Sequence, residues 1–287
     1  MTPCIFVTDL HGHITRYQKL FAAIAAERPA AVFLGGDLLP SGLLALAADA
    51  EHYRDFVADF LSREFQKLRE ALGEAYPRVF LILGNDDSRM EEAGIRDAAA
   101  EGIWEYIHNR KVPLGKFNVY GYAYVPPTPF QLKDWERYDV SRYVDPGCIS
   151  PEEGFRSVAV PPNEPKYATI QKDLARLAGH DDLSRAIFLF HTPPYQTKLD
   201  RAALDGKMID HVPLDVHIGS IAVKRFIEAR RPLITLHGHV HESARLTGQW
   251  REQVGETHAF SAAHDGPELA LVRFDAENPA EARRELM

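Results

Sequence analysis

The chain has 287 residues, 45% of them hydrophobic and 26% charged, a composition that excludes a fibrous or disordered chain and suits one large α/β domain or at most two small ones. Its formal net charge of −8 argues against extended binding to duplex DNA or RNA, because an acidic surface repels phosphate backbones. Its 2 cysteines, Cys4 and Cys148, are too few for a disulfide framework and read as buried thiols.

The opening "MTPCIFVTDLHGH" has no basic n-region and no apolar h-region of signal length. No stretch approaches the ~18 apolar residues of a membrane span. A cytoplasmic protein with no membrane partner is therefore expected. "CIFVT" (4–8) is a short apolar run ending at Asp9 and reads as a buried strand. From about Thr15 to Glu27 the pattern turns helical. "AAVFLGGD" (30–37) is a second apolar run, ending in Gly-Gly-Asp. Residues 44–72 are charged and rich in Ala and Leu, and read as one long helix or two. "RVFLILGND" (78–86) repeats the theme of apolar run, glycine and polar residue. "MEEAGIRDAAA" reads as a short helix. "WEYIHNRKVPLGKFNVYGYAYV" (104–125) alternates around a Pro-Leu-Gly turn and reads as paired strands.

Residues 126–165 hold eight of the chain's 19 prolines and little periodicity. A loop of that length without its own secondary structure is often functional. Phe130, Trp135 and Tyr138 are candidates to stack on a base or ring, and Lys133, Arg137 and Arg142 to contact a second phosphate. Lys198 and Arg201 invite the same reading.

"PKYATIQKDLARLAG" (165–179) is helical, "RAIFLFHTPP" (185–194) is another apolar run, and "SIAVKRFIEARR" (220–231) is an amphipathic helix. "PLITLHGHVH" (232–241) closes the series, and "SARLTG", "THAFSA" and "ELALVRF" look strand-like. Strands alternate with helices early and dominate late. That predicts a layered α/β domain over residues 1–287, with an insertion at about 126–165 near the active site.

Five apolar runs end in a metal-capable residue: "TDLHG" with Asp9 and His11, "GGDLL" with Asp37, "LGNDD" with Asn85, "FHTPP" with His191, and "HGHVH" with His239 and His241. Strand ends hold a side chain in place while leaving it exposed, which is why α/β proteins build sites there. Glycine beside each candidate lets the backbone turn sharply, and Gly238 is expected to supply the turn that aims His239 and His241. The set mixes carboxylate, imidazole and carboxamide and contains no thiolate. It suits Mn²⁺, Fe²⁺ or Zn²⁺. Seven candidates are too many for one ion and about right for two, and two divalent ions ~3.5–4 Å apart holding a bridging hydroxide form a clamp for displacement at phosphorus.

The order D-x-H, G-D, G-N, H, G-H-x-H, running from Asp9 to His241, resembles the calcineurin-like metallophosphoesterase superfamily. "HTPPYQTKLD", "GSIAVKRFIEARRP" and "HGHVHES" look like its bacterial branch related to cyclic-nucleotide phosphodiesterases. The resemblance implies a four-layer α-β-β-α sandwich of two mixed sheets flanked by helices. It also implies a hydrolase in which Asp9, His11 and His241 hold one metal, Asn85, His191 and His239 the other, and Asp37 bridges them. His237 lies outside this pattern and is expected to support the site from the strand.

The chain departs from the family signature Gly-Asn-His-Asp/Glu, reading Gly84-Asn85-Asp86-Asp87. In the family the histidine sits near the leaving group as a general acid or stabiliser, tuned by the carboxylate that follows. Asp86, with a reference pKa near ~3.9, is an anion at neutral pH unless its surroundings raise it. An anion there repels a monoester dianion more than a diester monoanion, so a phosphodiesterase acting on a small molecule is expected. Two further possibilities are that Asp86 adds a ligand to the second metal, or that His13, His217 or His264 fills the gap. Asp86, Asp87 and His13 are thus the candidate catalytic residues. The alternatives are a phosphomonoesterase, a pyrophosphate-bond hydrolase or, in a different class, a non-catalytic metal-binding scaffold.

Overall fold

The computed structural model describes residues 1–41 and 53–287. Its strands in chain order begin with β1 (Pro3–Val7), β2 (Ala31–Gly35), β3 (Arg78–Ile82), β4 (Glu105–Tyr106), β5 (Arg110–Leu114), β6 (Phe117–Tyr122) and β7 (Ala186–Phe190). They continue with β8 (Met208–Ile209), β9 (Val212–Pro213), β10 (Ile234–His237), β11 (Arg251–Val254), β12 (Thr257–Ser261), β13 (Ala270–Asp275) and β14 (Asn278–Leu286). The helices are α1 (Ile14–Glu27), α2 (Arg63–Leu72), α3 (Glu92–Ala100), α4 (Glu164–Tyr167), α5 (Ile170–Ala178), α6 (Ile221–Arg230) and α7 (Ser243–Thr247), with a π-helical stretch at Val57–Ser62 leading into α2.

Two six-stranded sheets carry the fold, in the orders β14-β13-β1-β2-β3-β4 and β11-β12-β10-β7-β6-β5. In the first, β1, β2, β3 and β4 run parallel while β13 and β14 join antiparallel. In the second, β6, β7, β10 and β12 run parallel, and β5 and β11 close the two edges antiparallel. The sheets face each other where β2 and β3 meet β6 and β7, and helices flank them. This is the four-layer α-β-β-α arrangement that the motif order implies.

The layering explains the sequence pattern. A central strand lies between the opposing sheet and a helix, so both of its faces are buried and its sequence is a continuous apolar run rather than an alternation. Every residue of β2, β7 and β10 is buried, whereas the edge strands β11 and β14 expose about every other position.

The predicted helix at 15–27 is α1. The prediction at 44–72 is met in part by the π-helical stretch and α2; residues 53–55 are not helical, and 44–52 lie outside the described residues. "SARLTG" is not a strand but helix α7, closed by Gly248 in the left-handed conformation (φ 70°) with its N–H on the carbonyl of Ala244. A glycine just past a short segment is a helix-stop signal, and six residues are too few for periodicity to overrule it. Both cysteines are free; Cys4 is buried, which pushes its thiol up to about 12, and Cys148 is half-buried.

The 126–165 segment has no regular helix or strand until α4 begins, yet it is tightly tied down. Trp135 and Tyr138 are buried, so neither is free to stack on a substrate. Lys133 and Glu136 are both 0% exposed and paired at 2.6 Å, with Thr128 donating to the same carboxylate. Arg137 bonds Tyr124, Glu164 and Asp173, and Arg142 pairs with Glu152. Lys133 and Arg137 are therefore taken up by packing, whereas Arg142 stays exposed in a surface ion pair. Of the six residues predicted to contact substrate here, Phe130 alone is largely exposed among aromatics, at 61%. Arg201 is similarly engaged by Asp205.

Truncating one partner of a fully buried ion pair leaves the other charge uncompensated. Lys133→Ala should therefore cost about 3–5 kcal/mol, whereas the double change Lys133→Met with Glu136→Leu should cost far less. Urea unfolding at pH 7 reads both. A single variant within about 1 kcal/mol of the parent would show that the pair does not hold the segment.

Candidate metal centre

All seven motif residues lie just past the carboxyl ends of β1, β2, β3, β7 and β10, parallel strands of the two facing sheets. In open α/β sheets this edge is where ligands bind. Asp9 (φ 56°), His11 (φ 46°), Asp37 (φ 51°) and His239 (φ 73°) have left-handed backbones, although none is glycine. That conformation costs about 1–3 kcal/mol per residue and persists only where the surroundings impose it.

The surroundings are specific. Asp9 N–H donates to the Gly36 carbonyl (3.0 Å) and His11 N–H to the Asp37 carbonyl (2.9 Å), so the two loops are latched together. The Asp9 carboxylate accepts the His239 N–H at 3.1 Å, tying in the third loop. Two glycines make room rather than turns. A Cβ on Gly238 would lie 2.3 Å from Thr8 Oγ1 and 2.7 Å from Asp9 Oδ2, and one on Gly84 would lie 2.3 Å from Asp37 Oδ1 and 2.8 Å from His191 Cε1. The expectation that Gly238 supplies the turn is thus corrected: His239 itself takes the positive φ, and Gly238 is the gap that admits Asp9.

Ligand atoms of Asp9, His11, Asp37 and His241 all lie within 4.8 Å of one another. His11 Nε2 and His241 Nε2 face each other at 3.2 Å, and His241 Nε2 lies 3.2 Å from Asp9 Oδ1. Beside this group, His191 Nε2 is 3.1 Å from Asp37 Oδ2 and 3.1 Å from Asn85 Oδ1, while His191 Nδ1 bonds the Gly35 carbonyl at 2.8 Å. The His239 ring stands edge-on to His191, with centroids 5.3 Å apart. Asp37 belongs to both groups.

The charges are strongly coupled. Burial works against ionisation of Asp9 and Asp37, but contacts with His241 and His191 overcome it and hold both carboxyls below the usual range. Burial also opposes charge on His11 and His191; the surrounding carboxylates prevail and raise both to about 9. His239 goes the other way, pushed down to about 3 by burial and the neighbouring His191 charge. Two imidazole nitrogens 3.2 Å apart, with a carboxylate oxygen equally near, leave space for at most one proton between them. Buried carboxylate oxygens and imidazole nitrogens, the latter once they give up their extra protons, are the donors that hold a divalent cation, so the residues fit a metal.

Of the three catalytic candidates, Asp86 alone reaches the cluster. Its Oδ2 is 3.2 Å from His11 Nδ1, and its backbone N–H donates to Asp37 Oδ1 at 2.8 Å. The thought that it joins Asn85 and His191 is not met, since its carboxylate turns to His11. Asp87 is fully buried, and its oxygens accept the N–H groups of Gly84 (2.8 Å), Leu39 (2.8 Å) and Leu38 (3.2 Å). Burial and the nearby Asp37 charge push it up to about 7 despite those bonds. It clamps the β2 and β3 loops rather than facing solvent. His13 starts α1, half-exposed, and among the described residues its ring makes no hydrogen bond. His217 is held by Asp200 (2.8 Å) and His264 by Glu268 (2.9 Å).

His237 is buried, stacked on Phe190, and bonded to the Thr192 carbonyl (2.9 Å) and Thr235 hydroxyl (2.8 Å). Burial lowers it to about 4, so it is a neutral packing residue below the site. Sequence reasoning missed Arg16. From the buried face of α1 it donates to the Asp9 carbonyl at 2.7 Å and the Gly266 carbonyl at 2.6 Å. The available signal was an arginine beside Tyr17 on the apolar stripe of an amphipathic helix.

Residues 2–243 match the model of the calcineurin-like phosphoesterases, and the chain belongs to that family of phosphoester hydrolases. The fold is shared with the protein TT1561 of Thermus thermophilus, at 18% identity and a TM-score of 0.55, covering 99% of this chain and 98% of that one. It is shared also with a dimetal phosphatase from Danio rerio, at 13% identity and a TM-score of 0.50, covering 95% and 91%. No curated protein matches the chain. Among the described residues no helix is long and apolar enough to cross a membrane.

At pH 7 the metal-free protein should carry protons on His11 and His191, both raised to about 9, and a nitrogen must lose its proton to bind a metal. Binding at pH 7 should then release about two protons, and affinity should rise with pH up to about 9. Calorimetric titration with Mn²⁺ in two buffers of different ionisation heat measures the release. Heats that do not depend on the buffer would contradict it.

Proposed function

We propose that this protein is a dinuclear metal-dependent phosphodiesterase acting on small phosphodiesters. The observation that carries the reading is the convergence of seven donor side chains from five strand ends, with the Asp9, His11, Asp37 and His241 ligand atoms inside 4.8 Å. On this reading Asp9, His11 and His241 hold one ion, and Asn85, His191 and His239 hold the other. Asp37, whose Oδ2 meets His191 while its other oxygen meets the Asp86 N–H, serves both. When bound, the two ions supply positive charge that neutralises the phosphoryl oxygens and lowers the pKa of the attacking water.

The chain's own residues set the substrate class. Asp86 occupies the position where the family signature has histidine, and its side chain is 39% exposed beside the cluster. A carboxylate there donates no proton to a leaving oxygen, so esters with good leaving groups are favoured. Its negative charge also repels the dianion of a monoester more than the monoanion of a diester. Across a solvated gap of ~4 Å one extra unit charge is worth about 1 kcal/mol, roughly a fivefold difference in rate.

The test compares an aryl phosphodiester with the matching aryl phosphomonoester on one metal-loaded sample between pH 5 and 10. Wild type should favour the diester in kcat/KM. Asp86→Asn, which removes the charge and keeps the shape, should raise monoester relative to diester turnover about fivefold. A wild type that prefers the monoester sinks the diester reading. A protein that binds two ions and cleaves neither ester returns the scaffold to the front.

A further inference from the structure

His11 presents a problem that its neighbours solve. For its Nε2 to face Asp9 and His241 with a free lone pair, the ring's one proton must sit on Nδ1. That Nδ1 is buried, and no donor or acceptor meets it with hydrogen-bond geometry. A buried imidazole N–H left unsatisfied is costly, and a ring so placed can rotate or switch tautomer. Among the described residues the one carboxylate in ion-pair range of it is that of Asp86, whose Oδ2 is 3.2 Å away, outside hydrogen-bond geometry. The Asp86 backbone is already fixed by its N–H bond to Asp37 Oδ1. Its side chain is partly exposed, so solvent and not packed protein lies on one side of it.

We propose that Asp86 is a positioning residue: its carboxylate accepts the Nδ1–H of His11 and fixes the tautomer and ring angle that aim Nε2 into the cluster. Histidine ligands commonly rely on such a carboxylate behind the ring, and removing it lowers metal affinity about 10–100-fold. The histidine of the family signature has no carboxylate or carboxamide oxygen to set behind that N–H. The Asp at position 86 therefore does more than delete a proton donor, because the same side chain that repels a dianion also orients a ligand. This inference rests on reading the cluster as a two-ion centre.

The test is calorimetric titration of metal-free protein with Mn²⁺ for wild type, Asp86→Ala, Asp86→Asn and Asp86→His, with thermal unfolding to confirm that each variant folds. Asp86→Ala and Asp86→His should weaken one of two ions about 10–100-fold and leave the other unchanged, because Asn85, His191 and His239 do not depend on Asp86. Asp86→Asn, whose carbonyl oxygen still accepts, should stay within a few-fold of wild type. On zinc-loaded protein, nitrogen NMR of the His11 ring should show a protonated, hydrogen-bonded Nδ1 in wild type and a rapidly exchanging one in Asp86→Ala. Two unchanged affinities in Asp86→Ala, or equal loss at both sites, overturn the inference. A wild type that binds no metal overturns the two-ion reading instead, so the two failures are distinct.

Discussion

The contact between Asp37 and His191 is the junction on which the site depends. Asp37 follows β2 of one sheet and His191 follows β7 of the other, and their side chains meet at 3.1 Å with almost no solvent access. Two sheets packed face to face sit ~10 Å apart, so side chains from both reach one point only where the strand ends lean together. Gly84 permits this, since a methyl group there would run into both partners. Every other candidate ligand is arranged around this junction. Asn85 lies against His191, while the Asp9 and His11 loop is latched to the Asp37 loop through paired backbone bonds. A change that spreads the sheets at β2 and β7 would thus separate the two ligand groups even with all seven residues present.

The strained backbones follow from the same demand. A backbone leaving a strand end normally continues along the strand, whereas here it must turn within two residues to bring these side chains inward. Left-handed φ at Asp9, His11, Asp37 and His239 does that. The strain is held by bonds that would otherwise be unneeded: Arg16 on the Asp9 carbonyl, the Asp9 carboxylate on the His239 N–H, and Asp87 on three N–H groups of the neighbouring loops. These supports make a rigid cage, which is what a metal site needs to keep its coordination geometry.

Much of this was legible in the sequence, for a physical reason. Central strands of a four-layer sandwich are apolar on both faces, so β1, β2, β3, β7 and β10 stand out as runs, and the polar residue that ends each run marks the site edge. What stayed hidden depends on contacts distant in sequence. The roles of Gly84 and Gly238 are close approaches to other loops, not local turns. Arg16 reads as an ordinary helix residue until Asp9 and Gly266 are placed against it. Lys133, Arg137 and Trp135 read as surface chemistry because composition cannot show that Glu136 and Asp173 lie buried, and Glu164 half-buried, against them. Helix α7 was missed because five residues carry no period.

The charge inventory of the site bears on the substrate. Asp9, Asp37 and Asp86 place three carboxylates around the cluster, in a protein whose net charge is −8. Without cations such a site repels any phosphate. On the proposed reading two divalent ions bring four positive charges against these three negative ones. With the attacking water counted as neutral, the single positive charge that remains matches the single negative charge of a diester. Histidine at position 86 would leave the excess about one unit larger, better suited to a dianion. On the two proposals taken together, substrate class is linked to metal retention through one side chain, because the carboxylate that trims the excess charge is also the group proposed to sit behind His11.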